Sequence, residues 1–332
     1  MVSLNNSITD VPGILVGQVQ DDDALTGCTV VLCKEGAVGG VDQRGGAPGT
    51  RETDALRPMH QVQKLHAVML AGGSAFGLDA ASGAMRYLEE NNVGFNTGVA
   101  KVPIVASAIL FDLGIGKADI RPTAAMGYQA CKDAASKRPI EGNAGAGAGA
   151  TVGKILGMGQ AMKSGIGTAS IDLGGGIIVG AIIAVNALGD VIDPETNQIL
   201  AGVRPLQKGP VNIGGKDRFA DTLKIMKSFV GKSALRLATM QNTVIGVVAT
   251  NANLTKEEAN KVAQMAQNGL AKTIRPANTM LDGDTLFCMA TGKKNCDVSI
   301  VGSFAAEVVG KAIVSAIHNA KSAGGLPASQ GE

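Results

Sequence analysis

The amino-acid sequence predicts a tightly layered α/β fold, and three observations carry that reading. Short apolar, partly β-branched runs alternate with amphipathic helical stretches along most of the 332 residues. Glycine is abundant at 46 residues and aromatics make up only 3%; the glycines lie among Val, Ile and Ala with no three-residue period, so they permit close approach of layers and ligands to backbone. Hydrophobic residues at 45% against 17% charged describe a packed interior, and a chain of this length can bury one large core or two smaller ones.

Taken in order, residues 8–33 open with a turn at Val11-Pro12-Gly13 and end in a strand over 29–33. Residues 39–54 read as a long glycine loop carrying Arg44, Arg51, Glu52 and Asp54, either a functional loop on a rigid scaffold or a surface turn held by salt bridges. A strand over 67–70 runs into Gly72-Gly73-Ser74-Ala75-Phe76-Gly77 and then an amphipathic helix over 78–91. Residues 102–111 are apolar, and 121–137 read as a helix with Pro122 in its first turn. Strands over 166–173 and 177–188 are joined by Gly174-Gly175-Gly176. Residues 190–236 are the least apolar stretch and read as a long excursion, polar and basic at the surface from 208 onward. A strand follows from Thr243, and Thr255-Lys256-Glu257-Glu258 forms a capping box for a helix to residue 274, with Ala259, Val262, Ala266 and Leu270 as its buried stripe. A last helix over 304–321 covers the sheet, and the tail from 324 is expected to be mobile.

Several function classes fall away on composition. A net charge of +2, with no Lys/Arg run and no aromatic-basic interleaving, argues against nucleic acid and for a small, roughly neutral substrate. Five cysteines at irregular spacings (Cys28, Cys33, Cys131, Cys288, Cys296) suit a reduced interior and not a disulfide framework or zinc ribbon. The first residues lack a basic and an apolar signal region, and no apolar run reaches about 18 residues. A cytoplasmic protein without membrane partner, cofactor or metal is expected.

The chemistry-bearing candidates are scattered. Ser74 lies in a strand–turn–helix setting like that of a nucleophile elbow, but Phe76 stands where that pattern wants glycine, so Ser74 reads better as a turn residue that donates a hydrogen bond. The run from Gly142 to Lys154 fails as a phosphate loop, since Ala148 and Ile155 occupy the places of the required Gly and Ser/Thr. Its alternating glycines, Gly147 among them, instead let backbone approach a substrate while Lys154 presents its ammonium to a developing oxyanion; a solvated loop lysine is the alternative. Asn186 ends a very apolar strand, where a buried amide either satisfies backbone or orients a reacting group. Asp282 and Asp284 bracket Gly283, and two positions apart on extended backbone they share a face. They either orient an ammonium and a nucleophile or form an Asp-Gly turn; no further carboxylates complete an octahedral metal set. Thr243 stands at the first position of a core strand, directly after Asn242. If the chain is cut between the two, the new α-amino group, with a reference pKa of ~7.7–8.0, lies beside the threonine hydroxyl and can take its proton. Otherwise Thr243 merely caps a strand.

Together these blocks resemble the P1 peptidases (family S58), which include the L-aminopeptidase/D-amidase/esterase enzymes, β-peptidyl aminopeptidases and endo-type 6-aminohexanoate-oligomer (nylon) hydrolases. The matching segments are Val41-Asp42-Gln43-Arg44-Gly45-Gly46-Ala47-Pro48-Gly49-Thr50, Gly72-Gly73-Ser74-Ala75-Phe76-Gly77-Leu78, Gly145-Ala146-Gly147 through Gly153-Lys154, Val185-Asn186, Asn242-Thr243 and Leu281-Asp282-Gly283-Asp284-Thr285. The resemblance implies one α/β/β/α sandwich domain over 1–332, a four-layer self-processing N-terminal-nucleophile fold cut into a large chain, 1–242, and a small chain, 243–332. It implies Thr243 as nucleophile, with Lys154, Asn186, Asp282 and Asp284 around it, Ser74 and Gly147 near the substrate, and tetramers of processed units. Threonine and the Asp-Gly-Asp motif depart from the serine and glutamate of aminopeptidase-type members and look more like the nylon-oligomer hydrolases, whereas the 47–53 block looks closer to general bacterial peptidases. The expected activity is hydrolysis of linear amides such as 6-aminohexanoate oligomers, the alternatives being an aminopeptidase, D-amidase or esterase on short peptides or β-peptides, an ornithine-acetyltransferase-like acyl transferase, or a non-enzymatic binding protein.

Overall fold

The computed structural model describes residues 4–208, 211–229, 231 and 242–330. Its frame runs, in chain order, β1 (Leu15–Asp21), β2 (Thr26–Gln43), β3 (Lys64–Ala71), α1 (Ala80–Glu90), β4 (Val105–Ile109), α2 (Ala124–Asp133), β5 (Ile166–Asp172), β6 (Ile178–Asn186), β7 (Thr243–Ala252), α3 (Lys256–Thr273), β8 (Thr285–Lys294) and α4 (Val298–His318). The strands hydrogen-bond in the order β5-β6-β7-β8-β2-β3-β4, with Thr50–Arg51 on the outer edge of β4 and β1 alongside β2. β7 with β8 and β3 with β4 are parallel, as their helical crossovers α3 and α1 require, and the other neighbours in that series are antiparallel.

One strand turns this single ladder into two stacked sheets. β2 pairs with β1 and β3 over its first half, its register with β3 shifts between Leu32 and Ala37, and its second half pairs with β8. The two halves face each other across a shared core in which Val31, Val68, Leu70 and Ala106 meet Ile182, Ile245, Val247 and Phe287. Alternation along each strand sends the intervening side chains outward. Val244, Val248 and Val185 pack under α3 and α4, while Val30, Met69 and Val105 pack under α1 and α2. The result is the expected α/β/β/α order of layers.

Several expectations need correction. Gly39 to Gln43 is strand, not loop, because it pairs with β8; at Gly40 an added Cβ would lie 2.3 Å from the Ala259 carbonyl carbon, so glycine lets α3 sit down on the sheet. Arg44 pairs with Asp42, and Arg51 donates to Ser82 Oγ, so these charges hold structure together. α2 starts only at Ala124, capped by Thr123, with Pro122 ahead of the cap, and stops at Asp133 because Ala135 turns into backbone pairing with Val16. α4 begins at Val298, capped by the Asp297 carboxylate, six residues before the expected start; Gly302, a breaker by sequence, is where the Met265 side chain packs. The tail is anchored: Leu326 and Ala328 are buried, and the Pro327 carbonyl accepts from Lys163 N at 2.9 Å.

Other readings hold. Thr255 and Glu258 form the capping box, worth about 0.5–2 kcal/mol at the Thr255 side, and the predicted stripe of α3 is buried. Among the described residues α4 is the one helix long and apolar enough to cross a membrane, but Val301, Ala305, Val308, Ala312 and Ile313 are buried in the core. The 190–236 excursion carries short strands and a helix, Thr222–Lys227. Of the stretch read as surface, residues 209, 210, 230 and 232–236 lie outside the described residues, as do Met240 and Gln241.

Candidate active site

β7 and β6 are neighbours, and their register sets Thr243 opposite Asn186. β8 lies on the other side of β7, and just before it Asp282 bridges Asn242. The strand pairing by itself therefore brings Asn186, Asn242, Thr243 and the Asp282-Gly283-Asp284 turn to one end of the sheet. All six residues are buried or nearly so.

The turn grips the backbone on both sides of Thr243. The Asn242 carbonyl accepts from Gly283 N at 2.9 Å and from the Thr243 hydroxyl. Val244 N donates to Asp284 Oδ1 at 2.7 Å, and Asn278 N donates to Asp284 Oδ2 at 2.8 Å. Asp282 Oδ2 accepts from Thr279 N and from the Thr279 hydroxyl. Glycine is required between the two acids, since a Cβ there would lie 2.6 Å from the Ala47 carbonyl oxygen and 2.9 Å from Thr243 Oγ1. The loop after β2 clamps this turn from outside, with Arg44 N on the Asp284 carbonyl at 3.0 Å and Ala47 N on the Asp282 carbonyl at 2.8 Å.

Lys154 enters from the other side. Its ammonium donates to both the backbone oxygen and Oδ1 of Asn186, each at 2.9 Å. Thr151 donates its N–H and hydroxyl to the same Oδ1, and the Asn186 amide donates to the Phe111 carbonyl at 3.0 Å. Burial pushes the Lys154 ammonium down to about 7, against the pull of Asp282, Asp284 and Asp112. Burial also raises both carboxyls of the turn, and at Asp284 the neighbouring Asp282 charge raises it further. Groups so displaced toward neutrality in one buried cluster are typical of reacting sites.

Beside Lys154 lies a small pocket of about 10 Å³, room for a water-sized group, walled by Phe111, Ile115 and Met158 with Gly149, Thr151 and Asp112. Asp112 accepts from the Thr26 hydroxyl at 2.7 Å and from Gly73 N at 2.6 Å, and burial raises its carboxyl. The structure thus assembles Thr243, Asn242, Lys154, Asn186, Asp282 and Asp284. Ser74 is one residue removed: it starts a 3-10 turn at φ +54°, its N–H donates to the Leu110 carbonyl, and only its neighbour Gly73 touches Asp112. Gly147 faces packed backbone, 2.4 Å from Ile166 N at the Cβ position, and its carbonyl accepts from Lys163; the glycine that lines the cavity is Gly149. Asp112 and Thr151 were missed by sequence reasoning, although a lone acid ending the apolar 102–111 run is a usable signal. Thr279 and Lys163 carry no such signal.

The comparisons agree with this architecture. The model of peptidase family S58 matches residues 6–330. An uncharacterized aminopeptidase of Mycobacterium tuberculosis (strain ATCC 25618 / H37Rv) is 42% identical over 349 residues, covering 97% of this chain and 96% of that protein. The 6-aminohexanoate-oligomer endohydrolase of Kocuria sp. (strain KY2) is 29% identical over 324 residues, covering 92% and 84%. Among solved structures, the L-aminopeptidase D-Ala-esterase/amidase of Ochrobactrum anthropi, described as a new variant among the Ntn hydrolase fold, aligns with a TM-score of 0.69 at 19% identity, covering 97% of this chain and 88% of that one. A Burkholderia sp. beta-aminopeptidase aligns at 0.65 and 23%, covering 96% and 88%. With a family match over almost its whole length, the chain belongs to peptidase family S58 and is a hydrolase, and its fold is like the one described as a variant of the Ntn hydrolase fold.

Proposed function

We propose that the chain cleaves itself between Asn242 and Thr243, and that Thr243, freed as the first residue of a small chain 243–332, hydrolyses linear amides through an acyl-enzyme. The observation that carries this reading is the Asn242 carbonyl, held at once by Gly283 N–H and by the Thr243 hydroxyl. In the first step Thr243 Oγ1 attacks the Asn242 carbonyl carbon, and the oxyanion that forms faces Gly283 N–H. Collapse breaks the Asn242–Thr243 C–N bond, the proton given up by the hydroxyl passing to the departing nitrogen, and leaves Asn242 as an ester on Oγ1 with the Thr243 amine free. Water then releases the Asn242 carboxylate and the hydroxyl. In each later turnover the Thr243 amine takes the hydroxyl proton as Oγ1 attacks a substrate amide, and returns it to the leaving amine. Lys154, fixed by Asn186, supplies positive charge to the oxyanion, while Asp284 and Asp282 hold the backbone around the nucleophile.

The pocket beside Lys154, about 10 Å³, takes no more than a water-sized group, so the reading of a linear substrate is supported by the likeness to the oligomer endohydrolase. A 6-aminohexanoate unit is such a substrate, an apolar chain ending in an amine. A second reading, an aminopeptidase on short peptides or β-peptides, is favoured by the 42% identity to proteins named aminopeptidases against 29% to the oligomer hydrolase. Intact mass under denaturing conditions, with N-terminal sequencing, tests the first claim. A fragment beginning Thr243-Val244-Ile245 is expected from the wild type and not from Thr243→Ala; an uncut wild type overturns it. Release of amine from 6-aminohexanoate oligomers against amino-acid and β-amino-acid amides then separates the two substrate readings.

A further inference from the structure

Lys163 is a fully buried lysine that none of the steps above uses. It sits in a short ribbon, Thr151–Val152 paired with Met162–Lys163, directly behind the segment that lines the cavity. Its Nζ donates to the Gly147 carbonyl at 3.1 Å, the Ala150 carbonyl at 3.0 Å and the Ser164 carbonyl. Three acceptors match the three N–H bonds of an ammonium and leave no lone pair for base or nucleophilic work. The acid nearest in effect is Asp112, which pulls the Lys163 ammonium up while burial takes it down to about 7.

We infer that Lys163 is a positioning residue: its ammonium clamps the carbonyls of residues 147–150 so that Thr151 and Lys154, a few residues on, meet Asn186 in reacting geometry. The connection is continuous. Lys163 holds the Ala150 carbonyl; the next residue, Thr151, gives its N–H and hydroxyl to Asn186 Oδ1; and Lys154 donates to that same oxygen. Gly149, between the clamped carbonyls, forms part of the cavity wall. The surrounding fold does not depend on the clamp alone. The Gly147 carbonyl also accepts from Ala150 N at 3.2 Å, and the Ala150 carbonyl from Ser164 N at 2.9 Å, so removing the ammonium leaves both with a donor.

This inference rests on the self-cleavage reading, and one experiment separates their failures. Wild type, Lys163→Met and Lys163→Gln are compared for self-cleavage by intact mass, for kcat and KM on an amide substrate, and for melting temperature, with rates taken well below the melting transition. Misplacement of reacting groups by an ångström costs on the order of 10²-fold, so Lys163→Met is expected to slow cleavage and lower kcat by about 10–100-fold with KM within about threefold. Lys163→Gln, which keeps an N–H donor, is expected to fall between. Cleavage and kcat at wild-type values in Lys163→Met, with only the melting temperature lowered, would overturn the positioning role. A wild type that never cleaves would overturn the self-cleavage reading, and this one with it.

Discussion

Two hydroxyls in this molecule stand at the end of a parallel crossover unit: Ser74, after β3, and Thr243, at the start of β7. By local sequence Ser74 follows a strand and a glycine pair and leads into a helix, with Phe76 where an elbow wants glycine, while Thr243 opens a core strand. The surroundings separate the two. Thr243 lies within reach of a carbonyl held by Gly283 N–H, the Asp284 carboxylate that fixes Val244 N, and the Lys154–Asn186 pair across the strand. Ser74 sits in a turn whose neighbour Gly73 satisfies Asp112, and His66, upstream on β3, already accepts from Ile104 N through Nδ1 at 3.2 Å. A nucleophile is made by what converges on it and only weakly by the motif that carries it.

The largest effect that sharpens this contrast is Thr243→Ala. It removes the attacking oxygen, so cleavage and amide hydrolysis are both expected to vanish, read as an uncut mass and no amine release. Next comes Lys154, held at about 7 by burial. In the proposed mechanism it acts below that value as the ammonium facing the oxyanion, and above it the charge is lost. Self-cleavage of the precursor, which has no free Thr243 amine to confuse the profile, is expected to slow as pH rises through about 7. Lys154→Met should flatten that limb and slow cleavage by about 10²-fold, the usual cost of losing one oxyanion donor. A profile that rises through 7 in the wild type and loses that limb in Lys154→Met would instead make Lys154 a base, while one that loses it only in Asp284→Asn would report the Asp284 carboxyl, raised to about 7 by the same burial. Gly283→Ala follows, at about tenfold or more in cleavage rate. Its new methyl must displace Thr243 Oγ1 or the Ala47 carbonyl, while the Gly283 N–H remains. Mass spectrometry over time reads the slowing, and a wild-type rate would show that the turn has room to spare.

Much of this was legible beforehand because it is written in short-range chemistry. β-branched runs marked β6 and β7, the capping box marked α3, and Asn186 and Thr243 stood at the ends of apolar strands with Asp282 and Asp284 just ahead of another, whereas Lys154 closes a glycine loop and only the family resemblance joins it to them. What was not legible depends on pairing between distant segments. Gly39 to Gln43 looks like a loop until β8 is set beside it, and α4, expected from 304, starts six residues earlier, where Met265 packs on Gly302. Gly147 and Gly149 are indistinguishable in an alternating Gly-Ala run, yet one is pressed on Gly142 and Ile166 and the other lines the cavity. Lys163, between Met162 and Ser164, reads as a surface lysine, because nothing local announces three carbonyls around its ammonium.

The smallest expected effect is the one on which the contrast turns. Ser74→Ala keeps the N–H that donates to the Leu110 carbonyl and removes only a half-buried hydroxyl. At φ +54° alanine and serine carry the same backbone strain, so the turn itself is preserved. Self-cleavage should then proceed at the wild-type rate, since Ser74 belongs to neither the Asn242 carbonyl nor the Lys154–Asn186 pair. Hydrolysis of an added amide should change by no more than about threefold, and in KM before kcat if the hydroxyl touches bound substrate beside Asp112. A loss of kcat near that of Thr243→Ala, with cleavage intact, would break the comparison: it would place the reacting hydroxyl at the end of β3 and reduce Thr243 to the residue that opens the chain.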